Sequence, residues 1–305
     1  MTDHRVPRRT FLTAAAATVA GATLGVSRLA RAAGGTTPSS ARPAASASPR
    51  AVRLGVASYS LRKFSLDKSL EMIKALRTPY VNVKSVHVPY EKSPQELAAL
   101  RKQIEAAGFQ IVGGGTITFS KDTDEDVKQY FDYCKAAGIP LITGTGTAAV
   151  MPRVEKFAKQ YDIKVAIHNH GPEDKNFPSP YDVLKVVKDM DPRMGLCIDI
   201  GHTVRTGTDV VKAVLDAGPR LLDMHVKDLA DLKTRESQVI VGEGGLPIPD
   251  IFRALDTIHY GGYVNLEYEI DADDPLPGMK QSFAYMRGVL AGLAPAGTRT
   301  AAGGG

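Results

Sequence analysis

Leu196-Cys-Ile-Asp-Ile-Gly-His202 decides how the rest of the chain is read. An apolar run that begins at Met194 breaks into Asp199, Gly201 and His202. An apolar run bounded by turn residues is how a strand buried on both faces ends. A carboxylate at such an end points out of the core toward a loop face, where a cation can be held. Asp199 and His202 lie three apart, so carboxylate oxygens and an imidazole can face one spot. The design recurs in Leu221-Leu-Asp-Met-His-Val-Lys-Asp228, which breaks at His225, and in Tyr263-Val-Asn-Leu-Glu-Tyr-Glu269, which breaks at Glu267. Three consecutive apolar strands therefore each finish in a metal-ligand residue type.

Working outward from these runs, short apolar segments alternate with amphipathic stretches eight times. The pattern predicts strands at 52–58, 80–86, 110–114, 140–144, 164–168, 194–199, 221–226 and 263–267. Helices are predicted near 66–77, 94–107, 122–137, 150–161, 180–190, 208–217, 248–259 and 277–292. Ser93-Pro94 before Glu96, and Thr123 or Asp124 before Val127, are helix starts. Gly108 and Gly138 stand where helix ends need a left-handed residue. Eight strand–helix units in roughly 240 residues predict an α/β (β/α)8 TIM barrel over 51–293, with chemistry at the C-terminal ends of its strands. A doubly wound sheet is the alternative. Gly113-Gly-Gly115 and Gly144-Thr-Gly146 lack the spacing of a dinucleotide-binding turn.

Among 305 residues, 43% are hydrophobic, enough for one large core. The formal charge of +5 sits at the N-terminus. Five arginines against Asp3 give residues 1–32 a charge of +4, and Arg42 and Arg50 add two more, which leaves −1 for the rest. The basic balance thus gives no reason to expect a nucleic-acid partner. Cys134 and Cys197 are the only cysteines, and both lie in apolar or helical context, so they read as buried thiols. Arg8-Arg9-Thr-Phe-Leu12, an Ala/Val/Gly/Leu run to Val26 and Ala30-Arg31-Ala32 read as a twin-arginine export signal at 1–32. Its apolar run is too short and too rich in Ala and Gly to span a bilayer comfortably. Export to the periplasm or medium is expected, with no membrane attachment after cleavage. Residues 33–50 read as a disordered linker and 294–305 as a disordered tail.

The predicted strand ends supply a short list of candidates. Tyr59 follows the first strand, and Lys84 and His87 follow the second. The fifth ends in His168-Asn-His170 with Glu173 beyond it. Asp199 and His202 close the sixth, His225 and Lys227 the seventh, Glu267 and Glu269 the eighth. Six of the seven histidines fall after residue 86, and five of those six stand at predicted strand ends, which scattered core histidines would not do. Mixed carboxylate and imidazole without thiolate suits Mn²⁺, Zn²⁺, Co²⁺ or Fe²⁺ and argues against Ca²⁺. Asp199, His225 and Glu267 are the expected ligands, with His202 orienting a ligand or touching substrate.

Asp199-Ile-Gly-His202, His225-Val-Lys-Asp228, Gly242-Glu-Gly244 and the late Glu267 resemble the xylose isomerase-like TIM-barrel superfamily of sugar and sugar-phosphate isomerases and epimerases, over about 52–293. The Asp-x-x-His with a second His 26 residues after the Asp is similar to the tagatose 3-epimerase-like branch. That resemblance implies a divalent metal and a substrate that loses a proton alpha to a carbonyl, with Glu267 as both ligand and base. The branch carries a catalytic, metal-binding Glu on strand 5, where this chain has His168. The replacement keeps a ligand but removes a carboxylate base. His168, His170 or Glu173 then takes that role, or the reaction needs one carboxylate only, as in an inosose dehydratase-like or keto-glycoside lyase-like elimination.

The expectation is therefore a sugar isomerase or epimerase acting on a free or keto sugar, with catalysis by Glu267, His168 and His202. Ligands are His168, Asp199, His225 and Glu267, and substrate contacts are Tyr59, Lys84, His87, His170, Glu173 and Lys227. A metal-dependent lyase is the first alternative, and a non-catalytic sugar-binding barrel, which has no need of a Lewis acid, is another. An endonuclease IV-like site is disfavoured because Gly113-Gly-Gly115 has no His and Glu236-Ser-Gln238 replaces an expected Asp-x-His. The chain is compatible with a homo-oligomer.

Overall fold

The computed structural model describes residues 52–293. The expected export signal, linker and tail lie outside the described residues. Eight parallel strands close a barrel: β1 (Arg53–Ala57), β2 (Tyr80–Val83), β3 (Gln110–Thr118), β4 (Leu141–Thr145), β5 (Lys164–His168), β6 (Met194–Asp199), β7 (Leu221–Val226) and β10 (Tyr263–Leu266). Between the last two, β8 (Asp228–Leu229) and β9 (Gln238–Val239) form a small antiparallel ladder. The helices are α1 (Leu66–Ala75), α2 (Pro94–Ala106), α3 (Asp124–Ala137), α4 (Met151–Tyr161), α5 (Pro180–Val187), α6 (Ile200–Arg205), α7 (Val210–Ala217), α8 (Ile248–Thr257) and α9 (Leu276–Leu293). The (β/α)8 architecture read from the alternation is the one observed.

Local chemistry explains the boundaries. Ser65, Thr123 and Asp209 each accept a backbone N–H in the first turn of α1, α3 and α7, satisfying donors that a helix start leaves unpaired. Ser93 and Glu96 form a reciprocal capping box at α2, followed by Pro94. Gly138 ends α3 at φ 67°, a conformation that a side chain resists. Apolar helix faces (Ile73, Ile104, Phe131, Phe157, Phe252, Phe283) bury against the outer wall of the barrel. Each such side chain contributes roughly 1.5–3 kcal/mol relative to exposure.

The barrel interior is polar at mid-height. Asn82 Nδ2 on β2 donates across the interior to Asp223 Oδ2 on β7 at 3.0 Å, and Thr143 donates to the same oxygen at 3.1 Å. Asn265 Nδ2 on β10 donates to Asp223 Oδ1 at 2.8 Å. Above this floor the register sets the site. His168 stands opposite Cys197, Asp199 opposite His225, and His225 opposite Asn265, so four adjacent strands bring residues at or next to their C-terminal ends to one mouth. Glu267 follows directly, its N–H donating to Val226 O at 3.0 Å.

Three predicted strands match the structure at both ends, namely β5, β6 and β7. β2 stops earlier than expected, at Val83, and β3 runs on to Thr118 because a register shift past Gly115 lets it continue beside β4. α6 and the β8–β9 ladder were not foreseen; six and two residues per element are too few for a periodic signal.

Candidate metal centre

His168, Asp199, His225 and Glu267 converge at the C-terminal mouth, each offering one donor atom within 4.8 Å of the others. His168 Nε2 lies 3.2 Å from His225 Nδ1 and 3.5 Å from Asp199 Oδ2, and His225 Nδ1 lies 3.3 Å from Glu267 Oε2. A tetrahedral shell with bonds of about 2.1 Å has edges of about 3.4 Å, so these spacings are those of ligand atoms around one ion. His168 Nδ1, Asp199 Oδ2 and His225 Nε2 are buried and make no hydrogen bond among the described residues. Of these, Asp199 Oδ2 is one of the converging donor atoms, and an unpaired buried oxygen there is costly without a partner; the two imidazole nitrogens are the ones turned away from the convergence point. The residues fit a divalent cation.

The electrostatics agree for three of the four ligands; at His225 burial is outweighed by Cys197 and Glu267, which hold its pKa well above the ordinary one, so a cation there displaces a proton. Burial pulls His168 from 6.5 down to about 4, which leaves it neutral and able to bind metal. Burial opposes ionisation of Asp199 and Glu267, but the Lys227 ammonium and the neighbouring imidazoles outweigh it and hold both carboxyls well below their ordinary values. Lys227 is buried and lies 3.1 Å from Asp199 Oδ2, 2.8 Å from Glu267 Oε2 and 2.7 Å from Glu269 Oε2. Burial opposes its charge, and those three carboxylates restore it. Cys197 also lies beside His168 and His225, but burial pushes its thiol up to about 12. A protonated thiol is a poor ligand, so the set with carboxylates is the one that can coordinate.

A family model described as the xylose isomerase-like TIM barrel matches residues 78–289. The chain belongs to that family. Among curated relatives, the inosose dehydratase of Clostridium beijerinckii is 23% identical over 244 residues, covering 73% of this chain and 76% of that protein. The inosose dehydratase of Mesomycoplasma hyopneumoniae strain J is 27% identical over 154 residues, 44% of this chain, and there the match spans about half the relative's length, 51%. Among solved structures, an IolI protein with a bound zinc atom superposes with a TM-score of 0.66 at 16% identity, covering 79% of this chain and 99% of that one. The family's barrel and this chain's described residues thus agree in architecture, and among those residues no helix is long and apolar enough to cross a membrane.

The remaining sequence candidates of this xylose isomerase-like barrel divide sharply. His170 joins the cluster, its ring centroid 4.8 Å from that of His168 and 4.9 Å from that of His202. Tyr59 and Lys84 share the rim, with Lys84 Nζ 5.3 Å from the Tyr59 ring centroid. Two expected substrate contacts have protein partners in the structure. His87 is a scaffold residue: its Nδ1 meets Ser58 Oγ at 2.9 Å and its Nε2 meets Ser69 Oγ at 3.0 Å, because β2 ends early and the chain folds back onto α1. Glu173 is exposed and engaged by the Arg205 guanidinium. Sequence reasoning missed Arg205 and Asp223. Asp223 shares a strand face with His225 at a spacing of two, and Arg205 follows His202 at the helical spacing of three, signals readable once α6 is known.

Proposed function

We propose that this barrel is a divalent-metal-dependent enzyme that removes a proton alpha to the carbonyl of a keto sugar or polyol ketone, with elimination of water as the outcome. The observation that carries this reading is the ligand cluster itself, which combines two ionised carboxylates, Asp199 and Glu267, with a neutral imidazole, His168, on strand 5. Inversion at carbon needs proton carriers on two faces of the substrate; elimination needs one base and one acid. The inosose dehydratase relatives support the same choice, since an inosose is a polyol ketone. The expected export signal supports a free rather than a phosphorylated substrate, because exported enzymes seldom meet sugar phosphates.

His168, Asp199, His225 and Glu267 would hold the ion, whose chemistry is that of a Lewis acid drawing off the charge that develops on the carbonyl oxygen. Zn²⁺, Mn²⁺, Co²⁺ and Fe²⁺ all suit the donor set. Glu267 takes the alpha proton. The C–H electron pair forms the new C=C bond as the C–O bond one carbon further on breaks, and the hydroxide leaves as water with a proton from an acid. Lys84 fits that role: it is half-buried at the rim, and burial lowers its pKa and makes the ammonium a better donor. Tyr59 and His170 line the same mouth and offer hydrogen bonds to sugar hydroxyls.

The test is incubation of metal-loaded protein with a panel of keto sugars and inososes in D₂O. Elimination produces a conjugated enone; Glu267→Gln retains part of the metal and loses the product. Carbon-bound deuterium without dehydration means epimerisation instead, the outcome that the tagatose 3-epimerase-like resemblance implies. Bound metal with neither signal leaves a sugar-binding barrel and overturns the enzymatic reading.

A further inference from the structure

The Arg205 side chain is almost fully buried although it carries a charge, and it does not reach the ligand cluster. Its Nη1 lies 3.0 Å from His202 Nδ1, and its Nη2 donates to Glu173. The space for this contact is built in. Gly171 has φ +87°, and a Cβ there would stand 2.8 Å from Arg205 Nη1 and 3.3 Å from His202 Nδ1. A side chain at that position would push the guanidinium off the ring. The backbone around Gly171 is tied down by Gly171 N donating to Pro178 O at 3.0 Å.

A guanidinium has only donors, so the nitrogen facing it must present a lone pair. We infer that Arg205 is a positioning residue that fixes His202 as the tautomer with its proton on Nε2. His202 Nε2 makes no hydrogen bond among the described residues and is not sealed from solvent. The ring itself packs against His168 and His170, with centroids 5.9 and 4.9 Å away. His202 therefore offers an N–H at the edge of the ligand cluster, suited to an oxygen of the ligand rather than to abstracting a proton. Glu173, placed by sequence among substrate contacts, balances the guanidinium from the solvent side.

The consequence for turnover rests on the proposed reaction; the tautomer does not, and the experiment separates them. The full chain, loaded with diamagnetic Zn²⁺ and labelled with ¹⁵N in its imidazoles, is followed by long-range ¹H–¹⁵N correlation, with His202 assigned from the signals lost in His202→Gln. The wild type is expected to show an unprotonated Nδ1 and a protonated Nε2 for His202. Arg205→Met is expected to give averaged shifts as the two tautomers interconvert, with unchanged zinc content and a turnover lowered by about 10–100-fold. A protonated Nδ1 in the wild type, or an Arg205→Met spectrum identical to it, overturns the inference. Loss of zinc in Arg205→Met overturns it as well, because the residue would then act on the ligands and not through His202.

Discussion

Asp199 and Asp228 are both completely buried aspartates at the same end of the barrel, and their surroundings are opposites. Asp228 accepts backbone N–H groups from Leu229 at 2.9 Å, Gly242 at 2.9 Å, Gly244 at 3.2 Å and Leu246 at 3.1 Å. A Cβ on Gly244 would lie 2.2 Å from its Oδ1, so the loop reaches the carboxylate only because residue 244 has no side chain. Asp199 uses Oδ1 to accept His202 N–H at 2.9 Å and cap α6, while Oδ2 makes no hydrogen bond among the described residues. A buried carboxylate with its lone pairs occupied is a fastening. One whose second oxygen meets no N–H of the backbone and faces the Lys227 ammonium and the His168 ring instead is suited to hold a cation.

Exchanging the charge at each position breaks the comparison most severely. Asp199→Asn keeps the α6 cap and is expected to remove the bound metal and lower turnover by about a thousand-fold or more, the scale of losing a central electrostatic element. Zinc is expected to raise the thermal midpoint of the wild type through linkage, and that rise is expected to vanish in Asp199→Asn. Elemental analysis and melting with and without zinc check both; full metal content in the variant would contradict the assignment. Asp228→Ala should do the reverse. Four N–H groups lose their acceptor, so a destabilisation of about 4 kcal/mol, near 10 °C in midpoint, is expected with metal content per folded chain unchanged. A variant that melts like the wild type but has lost its metal would exchange the two roles.

Acid titration sharpens the contrast at a smaller scale. Burial pulls His168 from 6.5 to about 4 and His202 from 6.5 to about 3, so below pH 6.5 the unfolded chain binds more protons than the folded one. Asp223 opposes this. Burial raises it from 3.8 to about 6, so its contribution is full below 3.8 and is lost as pH rises through 6. Burial lowers His87 as well, whereas His225, raised well above 6.5 by Cys197 and Glu267 against its burial, joins Asp223 on the other side. Three imidazoles against these two leave the chelator-treated protein expected to lose stability as pH falls from about 6.5 toward 4. His168→Asn should flatten that fall. Melting curves over the interval decide it, and a midpoint that rises on acidification runs against the assignment. Ser93→Ala, far from both aspartates, removes only the cap of α2 and should cost about 1 kcal/mol, leaving metal content and pH profile as in the wild type.

The barrel was legible because a parallel sheet covered on both faces writes itself as unbroken apolar runs, and β5, β6 and β7 end where Ile167-His168, Ile198-Asp199 and Val226-Lys227 break that pattern. The convergence of His168, Asp199, His225 and Glu267 could be anticipated because the closed topology equates strand ends. His87 misled for the converse reason: the run from Tyr80 continues past the last ladder residue, Val83, so the histidine sits in a turn that packs back on Ser69. Asp223 was passed over because one acid inside Leu221-Leu-Asp-Met reads as an interruption, whereas the barrel interior supplies Asn82, Thr143 and Asn265 to accommodate it. Arg205 and Glu173 meet across 32 residues, a pairing that no local pattern announces.

Gln238 on the small β8–β9 ladder spans a gap in the wall with its side-chain amide, giving its NH₂ to Glu267 O at 2.8 Å and taking Glu269 N–H at 3.1 Å. A single glutamine thus stands in for one more rung of sheet just where the polypeptide leaves the barrel. The aim of Glu267 is consequently governed in part by a ladder outside the barrel, so remodelling that ladder offers a way to retune the one side chain that serves as both ligand and base, with His168, Asp199 and His225 left in place.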